Sequence, residues 1–430
     1  MLAKRQIALL FCLLLAGSWV IMLPNFSVAA SGVYKADVLW EKTYGGAGDD
    51  RAFYAAALPE GFLVVGSTTS LQPNKTMALA LKLGDEGDML WNRTFSDTQN
   101  SEFRYVLILD DGFLFVGNTF LTSGATDGYV VKTDHDGKPL WQFSISNGGV
   151  DKLFSAVQTQ DGFVLAGLTN PVGGSGSDVW VVKISEDGHL VWSKTYDWGM
   201  DDAGRAVLSS AGNQYFIVGY KNSAGNDDYD FLLLKIDAEG NLLWNRTYGG
   251  AQSDKAYAML NADGGLLLVG DTRSKGAGDS DAWVIKVDFE GNLIWERTVG
   301  GSGFDMPTCI SNSASGGYVV GGFTFSFGEG YRDFWLFKID DAGNVLWQAT
   351  VGKGNYEEAY GVVEVAEDTY VMAGWTNSIG RGAYDFYIVK INVGSGGVAW
   401  IVYVAVCLAA VLLLIAILLL LTRHKSKNVL

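Results

Sequence analysis

A chain of 430 residues with 48% hydrophobic and 13% aromatic residues is too apolar to be a disordered polymer. It is long enough for one large all-β domain or two average domains. A formal charge of −16 argues against nucleic acid as a partner, and only 3 cysteines exclude a disulfide scaffold.

Read from the N-terminus, Lys4 and Arg5 precede an uncharged run over 7–23, and small residues at Val28 and Ala30 follow. This predicts a secretory signal over 1–30, or an anchor if it stays uncut. The next segment, 31–393, is written in repeats. The tryptophans Trp40, Trp91, Trp141, Trp192, Trp244, Trp295 and Trp347 follow one another every 50 to 52 residues. Such a period belongs to propellers and solenoids.

Other rows travel with the tryptophans. Nine residues before six of them stand Lys82, Lys132, Lys183, Lys235, Lys286 and Lys338, and Lys390 takes that place in the last copy. Five residues before each lysine is an aspartate, at Asp127, Asp178, Asp230, Asp281, Asp333 and Asp385, with Met77 the exception. Ten residues after each tryptophan is an acid, at Asp50, Asp151, Asp202, Asp254, Asp305 and Glu357, with Ser101 the exception. A G-x-T triplet starts at Gly66, Gly117, Gly167, Gly270, Gly322 and Gly374, whereas Gly219 is followed by Tyr220 and Lys221.

Each unit reads as four short strands. After Trp244, "KAYAMLNA", "LLLVGDT", "DAWVIKVD" and "LIWERTVG" are separated by turns such as "ADGG" and "FEGN". The strands are apolar nearly throughout, as in sheets buried on both faces. No helical stripe interrupts them. Four-stranded units of this length, stacked face to face, predict a β-propeller of seven blades. The chain opens on "ADVLWEKTYGG", an outermost strand, and the last unit stops after its third strand, "DFYIVKIN". The N-terminal strand is therefore expected to complete the last blade and leave no open edge.

Past a short linker at 394–397, residues 398–421 are free of charge for 24 positions, about 36 Å as a helix. Arg423, Lys425 and Lys427 in the tail 422–430 form a stop-transfer flank. The expectation is a single-pass membrane protein with its bulk outside and its C-terminus in the cytoplasm. Cys12 and Cys407 fall in the two terminal segments, so Cys309 is alone in the exported part. It reads as a buried small residue. Asn74, Asn92 and Asn245 head triplets that fit exported glycosylation acceptors.

The "K-[IV]-D-x-x-G-N-[LV]-x-W" run resembles the tryptophan-docked repeats of quinoprotein-like β-propellers. The "T-Y-G-G…D" that follows resembles the repeats of extracellular bacterial and archaeal surface proteins. The resemblance covers 36–391 and implies that Trp40 through Trp347 pack between adjacent blades as structural docking residues. It is weak for activity, because such propellers include dehydrogenases, assembly scaffolds and binding proteins.

Candidate chemistry is sparse. Catalytic quinone-dependent relatives often use adjacent cysteines, which are missing, so no organic cofactor is expected. His135 and His189 lie in turns and His424 in the tail, without metal spacing. Calcium is the one candidate ion: Asp227, Asp228 and Asp230, and Asp279 with Asp281, space carboxylates as oxygen-rich sites require, and Asp134 with Asp136 does the same. The acids ten residues after each tryptophan are candidates for a binding face, with a structural role as acceptors for loop N–H groups as the alternative. The reading is a cell-surface binding or scaffold module, engaging a protein or glycan at its membrane-distal face through variable loops such as "FTFSFGEGYRD" and "WTNSIGRGAYD". The rival reading is an extracellular glycan-cleaving hydrolase or lyase with paired carboxylates in a central channel.

Overall fold

The computed structural model describes residues 33–72, 74–95, 99–222 and 228–394. Every regular element among them is a strand. Two strands come first, β1 (Val33–Lys35) and β2 (Asp37–Tyr44). Antiparallel groups then follow in chain order. They are β3 to β6 (Asp50–Leu58, Gly61–Thr68, Met77–Leu83, Met89–Phe95) and β7 to β10 (Asn100–Leu109, Gly112–Phe120, Thr126–Thr133, Pro139–Ile145). Next are β11 to β14 (Gly149–Thr159, Gly162–Pro171, Asp178–Ser185, Leu190–Tyr196) and β15 to β18 (Asp202–Ser210, Gln214–Asn222, Tyr229–Ile236, Leu242–Tyr248). After them come β19 to β22 (Asp254–Ala262, Gly265–Thr272, Asp281–Val287, Leu293–Val299) and β23 to β26 (Asp305–Asn312, Tyr318–Thr324, Asp333–Ile339, Val345–Val351). The last group, β27 to β29 (Glu357–Ala366, Thr369–Thr376, Asp385–Asn392), has three strands of its own, and β2 pairs antiparallel with β29 as the fourth. β1 adds a short parallel edge to β26.

The first strand of each group touches the first strand of the next, and β27 touches β3. Apolar clusters fill the space between neighbouring sheets. One joins Ala52, Phe62, Val64 and Leu81 to Val371, Phe386 and Ile388, so the first and last groups share a core. Another joins Phe216, Val218 and Phe231 to Leu266, Leu268 and Trp283. Second and third strands are therefore dry on both faces: every residue of β4, β20, β21, β25 and β28 is buried. Fourth strands are different. In β6, β14 and β22 most residues are exposed or half-buried, so the uniform apolar reading holds for the inner strands alone.

The D-x-x-G-N turns between third and fourth strands have a common construction. Asp237 and Asp288 each accept the N–H of the asparagine four residues on, at 2.7 Å, and that asparagine's side-chain amide as well. Both carboxyls are thereby held below the usual carboxylate range. The glycines Gly240 and Gly291 adopt φ of 76° and 79°, where a Cβ is disfavoured.

No helix among the described residues is long and apolar enough to cross a membrane. The signal read over 1–30, Cys12, most of the linker, the span over 398–421, Cys407, His424 and the basic tail all lie outside those residues.

Candidate functional site

The acids ten residues after the tryptophans stand at or near the start of the first strands, and their placement decides their role. Asp50, Asp151, Asp202, Asp254, Asp305 and Glu357 are all fully buried. They are inside the seams between sheets and present no carboxylate to a ligand on the face. Each accepts the backbone N–H four residues earlier: Gly46 to Asp50, Asn147 to Asp151, Trp198 to Asp202, Gly250 to Asp254, Gly301 to Asp305 and Lys353 to Glu357, at 2.6–2.9 Å. The G-x-T row supplies hydroxyls to the other oxygen of the same carboxylates, with Thr169 donating to Asp151 at 2.5 Å and Thr376 to Glu357 at 2.7 Å. The backbone N–H of the acid crosses the seam. Asp305 donates to the Ser280 carbonyl at 2.8 Å, Glu357 to Arg332 at 2.8 Å and Asp50 to Tyr384 at 2.9 Å.

On the other side of three seams, Asp281, Asp333 and Asp385 begin third strands and close their own loops. Asp281 accepts the N–H groups of Ala277 and Gly278, and Asp385 those of Arg381 and Gly382. Two carboxylates therefore sit back to back, and the first glycine of T-Y-G-G makes room for them. A Cβ on Gly300 would lie 2.0 Å from an Asp281 oxygen and 2.9 Å from an Asp305 oxygen. The exceptions to the two rows, Met77 and Ser101, meet in one seam. There the Ser101 hydroxyl donates to the Phe95 carbonyl at 2.8 Å and accepts the Ala78 N–H at 3.0 Å.

One seam gathers three acids. Asp197 stands where four other units carry glycine and two carry serine, and one carboxylate oxygen from each of Asp178, Asp197 and Asp202 lies within 4.8 Å of the others. Among the described residues this is the set whose oxygens converge as a hard cation requires. Of the residues singled out from sequence, Asp227 lies outside the described residues. Asp228 lies near Asp230, whose carboxyl faces that of Asp254 across a seam. Asp279 ties its backbone N–H to the Gly303 carbonyl, and Asp281 is engaged by its loop amides.

Burial, and then the charge of Asp197, push the Asp178 carboxyl up to about 6, and burial with the charges of Asp178 and Asp197 does the same for Asp202. In the unfolded chain these groups titrate near about 4. Held at about 6, they take up protons in the folded state first, so they destabilise it above that pH and cease to do so as the pH falls. The melting temperature of the full chain is expected to rise as the pH drops from 6 toward about 4. Asp178→Asn should raise it at neutral pH and flatten that rise. A variant with an unchanged profile would remove this seam as the cause.

The docking tryptophans are half-buried and reach across the seams. Trp192 donates its indole N–H to the Ala238 carbonyl at 3.0 Å, and Trp295 to Asp341 at 3.2 Å, both in the turn of the next unit. Trp295 lies so close to Gly343 that a Cβ there would come within 2.8 Å. Arg246 and Arg297, two residues after their tryptophans, cover the outer ring faces at 5.1 and 5.7 Å.

The first strands also carry the channel. In each, pairing with the second strand slips by one residue at the position thirteen after the tryptophan, as at Tyr257 between Ala256 and Ala258 or at Arg205 between Gly204 and Ala206. A β-bulge of this kind re-aims its extra residue. The residues so placed are Phe53, Arg104, Phe154, Arg205, Tyr257, Thr308 and Tyr360, and all of them line one central cavity of about 270 Å³. Sequence reasoning missed this row, although its alternation of aromatic residues with arginine is visible at fixed spacing. No carboxylate lines that cavity among the described residues. At its mouth, on the side of the loops between second and third strands, the acids are matched: Asp49 with Arg51 at 3.0 Å, Glu102 with Arg104 at 2.7 Å, and Glu358 with Arg332. Cys309 is buried nearby, and burial raises its thiol to about 12, too high for a nucleophile. His135 and His189 lie exposed at turns.

The sequence profile of the family described as outer membrane protein assembly factor BamB matches residues 177–405, more than half of the chain. The chain belongs to this family. BamB-family membership makes it a quinoprotein-like β-propeller repeat protein, as the tryptophan repeat implied. Two solved structures share the fold of this BamB-family chain. The WD40 domain of Neurospora crassa Pan2 is 11% identical with a TM-score of 0.50, over 84% of this chain and 98% of that domain. Puromycin hydrolase is 15% identical with a TM-score of 0.50, over 83% of this chain and 55% of its own, so this chain spans about half of that enzyme. At such identities the likeness is one of fold. No curated protein matches the chain.

Proposed function

We propose that this BamB-family protein is a binding or scaffold module held at a cell surface, a seven-bladed propeller over 31–393 tethered by a span at 398–421. The sheet order and the closure of β29 by β2 support the blade count. The uncharged run, its basic flank and the leader-like 1–30 support the tether and the export. The family's description as an assembly factor favours a protein as partner. The acidic loops and the basic tail favour an orientation with the loop end outward and the tail inside.

One observation carries the reading: at the loop end, residues from three neighbouring groups form an aromatic and arginine patch. Arg332 lies 4.6 Å from the Phe325 ring and 5.4 Å from Tyr356, and Tyr331 stacks on Tyr356 at 5.7 Å. Arg51 covers Tyr384 at 4.1 Å and Trp375 at 5.2 Å. Tyr331 is 64% exposed, with Phe325 and Tyr356 exposed beside it. Tyrosine, tryptophan and arginine in this arrangement are the residues that dominate protein interfaces. Channel hydrolysis is less well supported, because the mouth carboxylates are already paired with arginines.

A photoreactive phenylalanine at position 331 of the full chain in its own membrane is the test. We expect one discrete protein adduct, lost on Tyr356→Ala and absent from a probe at Val172, which is 90% exposed on another loop. Equal labelling from both positions, or none from 331, would refute the patch as a partner site. Selective retention on a glycan array without any protein adduct would move the partner to a glycan.

A further inference from the structure

The channel walls do not match the rest of the molecule. The chain carries a net charge of −16, yet the central cavity is lined by two arginines and no acid among the described residues. Among the described residues Arg205 makes no ion pair there. Its Nε is buried without a hydrogen-bond partner, and its guanidinium lies 4.1 Å from the Phe154 ring and 5.6 Å from Tyr257. Arg104, two first strands away, stacks on Phe53 at 3.9 Å and shares only its Nε with Glu102. Between them on β11 stands Lys152, whose ammonium is pushed down by burial, with Arg104 and Arg205 adding to the effect and Glu102 opposing it. Arg104, Lys152 and Arg205 thus stand on consecutive first strands, and Glu102 is the carboxylate that acts on the first two.

A buried donor left unpaired costs free energy, and so does a group of like charges short of counter-charge. Solvent softens that cost without supplying the missing negative charge. Guanidinium groups match carboxylate and phosphate oxygens in number and direction. The aromatic rings between them, Phe53, Phe154, Tyr257 and Tyr360, offer flat apolar faces on the same circumference. The volume of about 270 Å³ lies at the lower edge of ligand sites, which run roughly 300–1,000 Å³. It suits one ring, not a polycyclic body. Entry is open to an anion because the mouth acids are already matched by Arg51, Arg104 and Arg332.

We infer that the central channel is a binding site for a small organic anion, a carboxylate or phosphate on a single flat apolar ring, held by Arg205 and Arg104 with the ring between the channel aromatics. The site is separate from the loop-end patch and stands whether or not that patch binds a protein.

Calorimetric titration of the full chain in detergent with benzoate, phenyl phosphate and inorganic phosphate tests it. Saturable binding of benzoate or phenyl phosphate is expected, with inorganic phosphate much weaker; which of the two binds tells a carboxylate from a phosphate ligand. Arg205→Gln should weaken that binding about tenfold or more, because a charged hydrogen bond is lost. Arg205→Lys, which keeps the charge without the fork, should fall between, and the melting temperatures of both variants report whether they are folded. Wild-type protein that takes up neither aromatic anion overturns the inference with no variant needed. Binding unchanged by a folded Arg205→Gln, or inorganic phosphate as tight as phenyl phosphate, overturns it too.

Discussion

Gly270→Ala is expected to be among the most damaging single substitutions in this protein. A Cβ on Gly270 would stand 1.9 Å from the Lys255 carbonyl oxygen and 2.6 Å from the Ala256 Cα. Both obstacles are backbone of the paired strand and neither can swing aside. The cause is the bulge at Tyr257, which throws the carbonyl two residues before it against the second strand. Relief requires the pair β19–β20 to part or the bulge to flatten. Overpacking of this kind costs about 3 kcal/mol, and the rigidity of the obstacle argues for the upper part of the usual range or beyond. The same geometry recurs at Gly66, where the Arg51 oxygen is 1.8 Å away, and at Gly374, where the Glu358 oxygen is 1.8 Å away. Gly354 has nothing within 4 Å, so Gly354→Ala should leave stability nearly unchanged. Guanidinium denaturation of the full chain compares the two; equal midpoints would show that the strands yield and that the close approach is not required.

Asp305→Ala should cost nearly as much, by a different route. Asp305 accepts the Gly301 N–H at 2.7 Å, the Ser326 hydroxyl at 2.6 Å, the Ser326 N–H at 3.3 Å and the Thr324 hydroxyl. The hydroxyls can turn elsewhere, whereas the Gly301 N–H is fixed by the loop. Against this loss stands a gain, because burial raises the carboxyl of Asp281 and Asp305 behind it adds to that, so removing Asp305 relieves the repulsion. The unsatisfied donors outweigh the relief, for a net loss of about 2–4 kcal/mol. The seam that carries Met77 and Ser101 shows how the acids can be given up together. Asp281→Met combined with Asp305→Ser copies it and should lose less than Asp305→Ala alone. Thermal melting of the three chains gives the comparison, and a stabilised Asp305→Ala would mean that charge repulsion dominates the seams.

The repeat made the fold readable. Tryptophans at near-constant spacing, turn glycines in D-x-x-G-N and an unpaired strand at each end dictate sheets of four and closure by β2. The acidic row was visible as a row but not as a buried one. An aspartate opening a strand after T-Y-G-G looks the same in sequence whether it faces water or a loop amide, and only the seam decides. The channel row was hidden for a related reason. A bulge shifts the alternation by one residue, so Arg205 and Tyr257 occupy places that period-two reading assigns to the sheet interior. The three-acid seam depended on Asp197, a residue whose meaning is that it replaces the glycine or serine of the other units. The loop-end patch was half legible: "FTFSFGEGYRD" and "WTNSIGRGAYD" stood out as aromatic, but not their meeting across a seam with Arg51 and Tyr356.

The bulged position has a consequence for how such a protein changes over time. Tyr257 and its six counterparts are skipped by the pairing register of their own strands. Apart from Thr308, whose hydroxyl donates to the Ala359 carbonyl of the next first strand, a substitution there spares the acids, glycines and tryptophans that hold the seams. The channel can therefore exchange phenylalanine for arginine or threonine one unit at a time, with the scaffold indifferent to each step. Selection on the ligand and selection on folding act on different residues of the same strand, and the centre of the molecule is free to specialise while its frame stays still.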